Sequence, residues 1–175
     1  FPARVNLADL NGDNGFRLNG IAEDDGAGVS VGGAGDMNGD GLDDILVGAP
    51  NATVSGKAAA GQTYVVFGDH DFQPQINLAS LNGGNGLVLN GISADSYAAN
   101  DLGGAGDMNG DGYDDAFVAA WKTSKGADSE AGAVYVLFGK ASFPAKLSLG
   151  DLTGATGFRL DGAAEGDRAG QAVDS

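Results

Sequence analysis

The chain repeats itself at a fixed interval. GFRLNGIAEDD, starting at Gly15, returns as GLVLNGISADS at Gly86 and as GFRLDGAAEGD at Gly157, a constant spacing of 71 residues. AGDMNGDGLDD at Ala34 returns as AGDMNGDGYDD at Ala105, and YVVFG at Tyr64 as YVLFG at Tyr135. Phe1, Phe72 and Phe143 keep the same register, with no gap anywhere. So strict a period means that one structural unit is built repeatedly, each copy covering the apolar face of the next. The 175 residues divide into repeat 1 (1–71), repeat 2 (72–142) and a truncated repeat 3 (143–175) that stops at Asp174-Ser175. This reads as a piece of a longer array. The alternative is a short chain that completes itself by oligomerising.

Within a period the signals are those of strands. In repeat 1 they cover Phe16–Ile21, Gly28–Gly35, Asp44–Ala49 and Gln62–Phe67; in repeat 2, Leu87–Ile92, Asn100–Gly106, Asp115–Ala120 and Ala133–Phe138. Their centres, such as Ile45-Leu46-Val47 and Val134-Tyr135-Val136-Leu137-Phe138, are continuous apolar runs, as expected of strands covered on both faces. No window sustains helical spacing, and Asn6–Leu10, Asn77–Leu81 and Ser148–Leu152 each suit a single helical turn. Four strands per repeat, stacked face to face, predict an all-β fold of β-propeller blades, each a four-stranded antiparallel sheet. Solenoid repeats are usually shorter. If a blade starts at the Gly28-type strand, the complete blades are 28–92 and 99–162, and Phe16–Ile21 is the outer strand of a preceding blade. The prediction is a partial propeller of about two complete blades with flanking strands.

Composition narrows the chemistry. There are 24 acidic residues, 21 of them Asp, against 9 Lys and Arg, giving a formal net charge of −15. That charge repels nucleic acid phosphates. No apolar run reaches the roughly 20 residues that span a bilayer. One His, no Cys and few basic residues leave little material for a nucleophile–base pair, so the chain reads as not an enzyme.

The acidic residues concentrate in two nine-residue segments, Asp36–Asp44 and Asp107–Asp115, with the pattern D-x-N-x-D-G-x-x-D. Oxygens of Asp36, Asn38, Asp40 and Asp44, with the Leu42 carbonyl, can converge on one point when the chain wraps tightly. Asp107, Asn109, Asp111, the Tyr113 carbonyl and Asp115 repeat the set. Gly after the third ligand permits the turn. An all-oxygen set in a flexible loop suits Ca²⁺ better than Mg²⁺. The twelfth position, where an EF-hand places a bidentate Glu, is Val47 or Val118 inside a strand, so the site is of a strand-loop-strand kind. An empty Asp-Gly hairpin would leave three carboxylates together without a counter-charge, which is costly. Two Ca²⁺ per chain are expected. Asp43 and Asp114, by alternation, are expected to point outward.

F-R-L-x-G, the run from Ser30 to Asp44, V-G-A-P (Val47–Pro50) and Y-V-V-F-G (Tyr64–Gly68) resemble the FG-GAP repeat of integrin α-subunit propellers, most of all the long versions of bacterial secreted or surface proteins. The resemblance implies blades around a central axis, structural Ca²⁺ on the ten positions named above, an extracellular location and adhesion-type binding. Partners would be further blades of the same protein or another copy, and an extracellular protein or glycan. A lectin-like propeller, or the non-catalytic blades of a larger extracellular enzyme, are the alternatives. Two departures stand out. Ala119-Ala120-Trp121 replaces Gly48-Ala49-Pro50, so that turn is expected to differ, and Asp101 stands where repeat 1 has Ser30. Trp121, at the head of the loop Lys122–Ala131, is a weak candidate for ligand contact, and Tyr97 is expected to be packing.

Overall fold

The structure, a computed structural model, describes residue 4, residues 6–124, residue 126 and residues 129–173. Phe1, the end at Asp174-Ser175 and three positions of the Trp121 loop (Lys125, Ala127 and Asp128) lie outside the described residues. Eleven strands are formed among the described residues: β1 (Arg17–Asn19), β2 (Ser30–Gly35), β3 (Asp44–Ala49), β4 (Gln62–Val66), β5 (Gln75–Asn77), β6 (Gly86–Asn90), β7 (Leu102–Gly106), β8 (Asp115–Ala120), β9 (Ala133–Leu137), β10 (Lys146–Ser148) and β11 (Gly157–Asp161). The chain is all-β. Strands β2, β3, β4 and β6 form one antiparallel sheet and β7, β8, β9 and β11 a second, each laid out in chain order. These are β-propeller blades.

One expectation needs correction. The first sheet has five strands, because β10 from the next repeat pairs in parallel with its outer strand, Leu147 opposite Leu89. Likewise β5 pairs in parallel with β1, Ile76 opposite Leu18. Each connection between blades therefore adds a strand to the outer edge of the preceding unit and covers what would otherwise be a free edge. A three-residue strand around one apolar residue is too short to show a period in the sequence. It runs directly into a 3-10 turn at Leu78–Ser80 or Leu149–Asp151, capped by the side chain of Asn77 or Ser148, and Asn6 caps an equivalent turn at Leu7–Asp9.

The continuous apolar runs are explained by burial on both faces. Leu46, Val65, Leu87 and Leu89 face the second blade, where Val118, Tyr135 and Leu137 complete a shared core. Val47, Tyr64, Val66 and Val88 occupy the opposite face, against Leu78, Leu81, Leu18 and Ile76. The inner strands approach closely because they are rich in glycine: a Cβ at Gly32 would lie 3.4 Å from Gly103 Cα. At Gly48 a Cβ would overlap the Ala99 carbonyl of the next repeat. The outward face of the second blade has no such cover. Met108, 57% exposed, is the periodic equivalent of Met37, which is fully buried. With Ala105, Phe117, Val136 and Leu160 it lines an open apolar groove.

The turn after β8 also departs from expectation. Ala52 N donates to Ala49 O at 3.2 Å and Thr123 N to Ala120 O at 3.0 Å, so both repeats close the same turn, with Trp121 in the place of Pro50. The closure is made by backbone groups and is indifferent to the side chain. Asp101 likewise keeps the role of Ser30 with the polarity reversed. Ser30 Oγ donates to Ala99 O at 2.7 Å, whereas Asp101 Oδ2 accepts from Val173 N at 2.9 Å. Each ties an inner strand to the following repeat.

The blades differ in one buried network. Tyr64 Oη donates to Gln62 Oε1 at 2.8 Å, and Gln62 Nε2 to Asn90 Oδ1 at 2.8 Å. In the second blade Ala133 replaces Gln62, and among the described residues the buried Tyr135 hydroxyl has lost that chain, with the Thr123 side chain still interacting with it. Arg159 instead lies over the Tyr135 ring, 5.4 Å from its centroid, and binds Asp161. Tyr64→Phe is therefore expected to cost about 1 kcal/mol, and Tyr135→Phe to be neutral or slightly stabilising. Urea denaturation of the two variants checks the contrast.

Candidate metal centre

The two Asp-rich segments join β2 to β3 and β7 to β8, as hairpin loops on the same end of their blades. A bulge at Gly33–Gly35, repeated at Gly104–Gly106, breaks the ladder where each loop begins. Gly41 and Gly112, at φ +89° and +92°, supply the left-handed position the pattern requires.

Within the first loop, carboxylates and amides hold one another. Asp36 Oδ1 accepts from Gly39 N (2.8 Å) and Asp40 N (3.0 Å), and its Oδ2 from Gly41 N (2.9 Å). Asn38 Oδ1 accepts from Asp40 N, Asp40 Oδ1 from Leu42 N, and Asn38 Nδ2 donates to Asp40 Oδ2. The second loop repeats each bond through Asp107, Asn109, Asp111 and Tyr113.

The last position behaves differently. Asp44 is 1% exposed and Asp115 fully buried. Asp44 Oδ2 accepts from Met37 N at 3.0 Å and its Oδ1 from Gly68 N at 2.9 Å; Asp115 accepts from Met108 N and Gly139 N. One carboxylate thus fastens the start of the loop to the chain leaving the third strand. Burial pushes Asp44 up to about 6, with repulsion from Asp40 and Asp36 adding to it and the two amides pulling the other way. Asp115 is raised by the same causes. The ion pairs among the described residues, Arg159–Asp161 and Arg168–Glu130, leave both loops without a cationic partner.

The donors fit a hard cation in kind: side-chain oxygens and a carbonyl, with a buried carboxylate that lacks a cationic partner among the described residues at the end of each loop. They do not stand gathered on a common point. Among the described residues, no group of three or more His, Cys, Asp or Glu is placed to hold a metal ion. The carboxylates turn instead toward the amides of their own loop.

Asp114 corrects the expectation that the eighth position points outward. Its Oδ2 accepts from Asp36 N at 2.9 Å, across the interface between blades. Alternation holds along a strand, but this residue still belongs to the loop. Asp43 is exposed. Trp121 is engaged by its neighbours: its ring lies 6.5 Å from that of Tyr97, with Lys122 Nζ 4.8 Å and the Arg168 guanidinium 5.2 Å from its centroid. The cations over Trp121 come from Lys122, beside it, and from Arg168, which stands where the earlier repeats have Gly26 and Tyr97. Nothing in the sequence of one repeat signals that meeting.

Because Asp44 accepts two buried amides, Asp44→Ala is expected to destabilise the metal-free chain by about 2–4 kcal/mol, with Asp43→Ala within about 0.5 kcal/mol. Thermal denaturation in chelator measures both.

Residues 27–66, which span β2, its loop, β3 and β4, match the family model described as FG-GAP repeat. Integrin alpha pat-2 of Caenorhabditis elegans is 35% identical over 100 residues, 57% of this chain and 8% of that protein. The Caenorhabditis briggsae protein of the same name is 35% identical over 103 residues, with the same shares. Phosphatidylinositol-glycan-specific phospholipase D of Rattus norvegicus is 33% identical over 104 residues, 59% of this chain and 12% of the enzyme. The chain thus spans about a tenth of the length of these relatives. Over residues 27–66 it carries an FG-GAP repeat, it is similar to integrin α chains over somewhat more than half its length, and it is folded as β-propeller blades.

Proposed function

We propose that the chain is a calcium-binding, integrin-like propeller module of a secreted or surface protein, acting in binding or adhesion. One observation carries the metal half of this reading. Two loops of identical pattern each end in a buried carboxylate, Asp44 or Asp115, with no cation beside it among the described residues. Asp36, Asn38, Asp40, the Leu42 carbonyl and Asp44 would hold one Ca²⁺. Asp107, Asn109, Asp111, the Tyr113 carbonyl and Asp115 would hold the second. A bound cation offsets the charge that burial and neighbouring carboxylates otherwise oppose. Its role is structural: it fixes the hairpin at the rim of the blade and leaves partner binding to other loops.

The binding half rests on similarity to the integrin α chains and on the net charge of −15, which disfavours nucleic acid. Among the described residues no helix is long and apolar enough to cross a membrane. The open groove at Met108, Phe117, Val136 and Leu160 fits a further blade or another copy of the chain. The similarity to the phospholipase favours a second reading, in which these blades are a non-catalytic part of a larger enzyme. Attaching the module to a hydrolase would leave the role of its calcium unchanged.

The test is a thermal melt of dialysed protein with Ca²⁺, with Mg²⁺ and with chelator. At calcium tenfold above Kd each site adds about 1.4 kcal/mol. The expected result is a rise of several degrees with Ca²⁺ alone, abolished in the Asp40→Ala/Asp111→Ala double variant. Identical melts in all three conditions refute the calcium assignment.

A further inference from the structure

The two loops have the same pattern but different surroundings. The first lies under the second blade. Asp36 gives both its backbone groups to Asp114: its N–H donates to Asp114 Oδ2 at 2.9 Å, and its carbonyl accepts from Asp114 N at 3.1 Å. The next carbonyl, of Met37, accepts from Lys140 N at 2.9 Å. The Tyr113 ring closes over Gly39, where a Cβ would lie 2.5 Å from Tyr113 Cε1. Asp36 and Asn38 are half-buried and Met37 is fully buried. One period later Asp107, Met108 and Asn109 are all exposed. Asp43, the equivalent of Asp114, is exposed and accepts no hydrogen bond in the contacts of the described residues.

We propose that Asp114 is a positioning residue, a latch between blades, which holds the first ligand of the preceding loop in place and so couples cation binding in that loop to docking of the next blade. The proposal rests on the calcium reading for its second half only. The chemistry is directional. A carboxylate accepting an N–H makes a strong, charge-assisted bond. The amide it fixes belongs to Asp36, whose side chain in turn orders Gly39, Asp40 and Gly41. Holding that peptide removes freedom that a cation would otherwise have to remove on binding. The first loop is consequently the tighter of two chemically identical sites in this chain. Asp43 offers the matching acceptor to whatever blade docks on the other side.

Two measurements on the whole chain test this. Amide hydrogen exchange in chelator reads the latch without metal. Asp114→Ala is expected to speed exchange of the Asp36 amide about tenfold. Asp114→Asn, which keeps an acceptor oxygen but not its charge, is expected to fall between the two, and Asp43→Ala to stay near the unsubstituted rate. Should Asp114→Ala fail to fold, Asp114→Ser, too short to reach the amide, serves instead. Calcium titration with the second loop silenced by Asp111→Ala reads the coupling. There, the loss of the Asp114 acceptor weakens binding at the first loop by about tenfold, and Asn recovers part of it. Equal Asp36 exchange in the unsubstituted and acceptor-less chains overturns the latch. Changed exchange with unchanged affinity overturns the coupling. If the unsubstituted chain binds no calcium, the calcium reading and the coupling fall together, and Asp36 exchange still decides the latch.

Discussion

The buried carboxylate that ends each Asp-rich loop is the joint on which a blade depends. Asp44 accepts one amide from the beginning of its loop and one from the residue after the Phe that follows β4. It therefore ties three strands at one rim of the sheet with a single side chain. Asp115 makes the same two bonds 71 residues later. Two amides compensate the desolvated charge in part, and burial still raises the proton affinity of Asp44. That cost of burial gives a cation something to do at the site.

Above that joint, the array is held by surfaces that match because they repeat. Leu46, Val65 and Leu87 of one blade meet Val118, Tyr135 and Leu137 of the next, so the two faces of any blade must be apolar in complementary ways. The parallel strands β5 and β10 fasten each connection to the outer edge of the unit before it, and glycines let the inner strands close to near contact. The latch at Asp114 belongs to the same logic. A repeat that always meets its own copy can place an acceptor on one side and the amide it needs on the other.

Much of this was legible in the sequence, and the reasons are specific. The period marks the strands that build each blade, since each strand signal recurs with its neighbours intact. β3 and β8 begin and end as the apolar runs do, because Asp44 and Asp115 mark their starts. The single helical turns expected at Asn6–Leu10, Asn77–Leu81 and Ser148–Leu152 are present, each capped by the side chain of its first residue. The short strands β5 and β10 were not legible, since three residues around one Ile or Leu carry no periodicity and their pairing is made by a remote edge. Asp114 departs from strand alternation because it still belongs to the loop, where side-chain direction follows the local backbone. The turn at Trp121 keeps the form of the turn at Pro50 despite the change of side chain, because its closing bond lies in the backbone. The D-x-N-x-D-G-x-x-D pattern is plain in the sequence, but the placement of its side chains, turned toward the amides of their own loop, is not.

The central claim is that the two loops are calcium sites, and direct stoichiometry tests it most simply. Equilibrium dialysis of the chelator-stripped chain against labelled Ca²⁺ should saturate at two ions per chain, with excess Mg²⁺ unable to displace them. A stoichiometry of zero at millimolar calcium, or equal occupancy by Mg²⁺, would contradict the account.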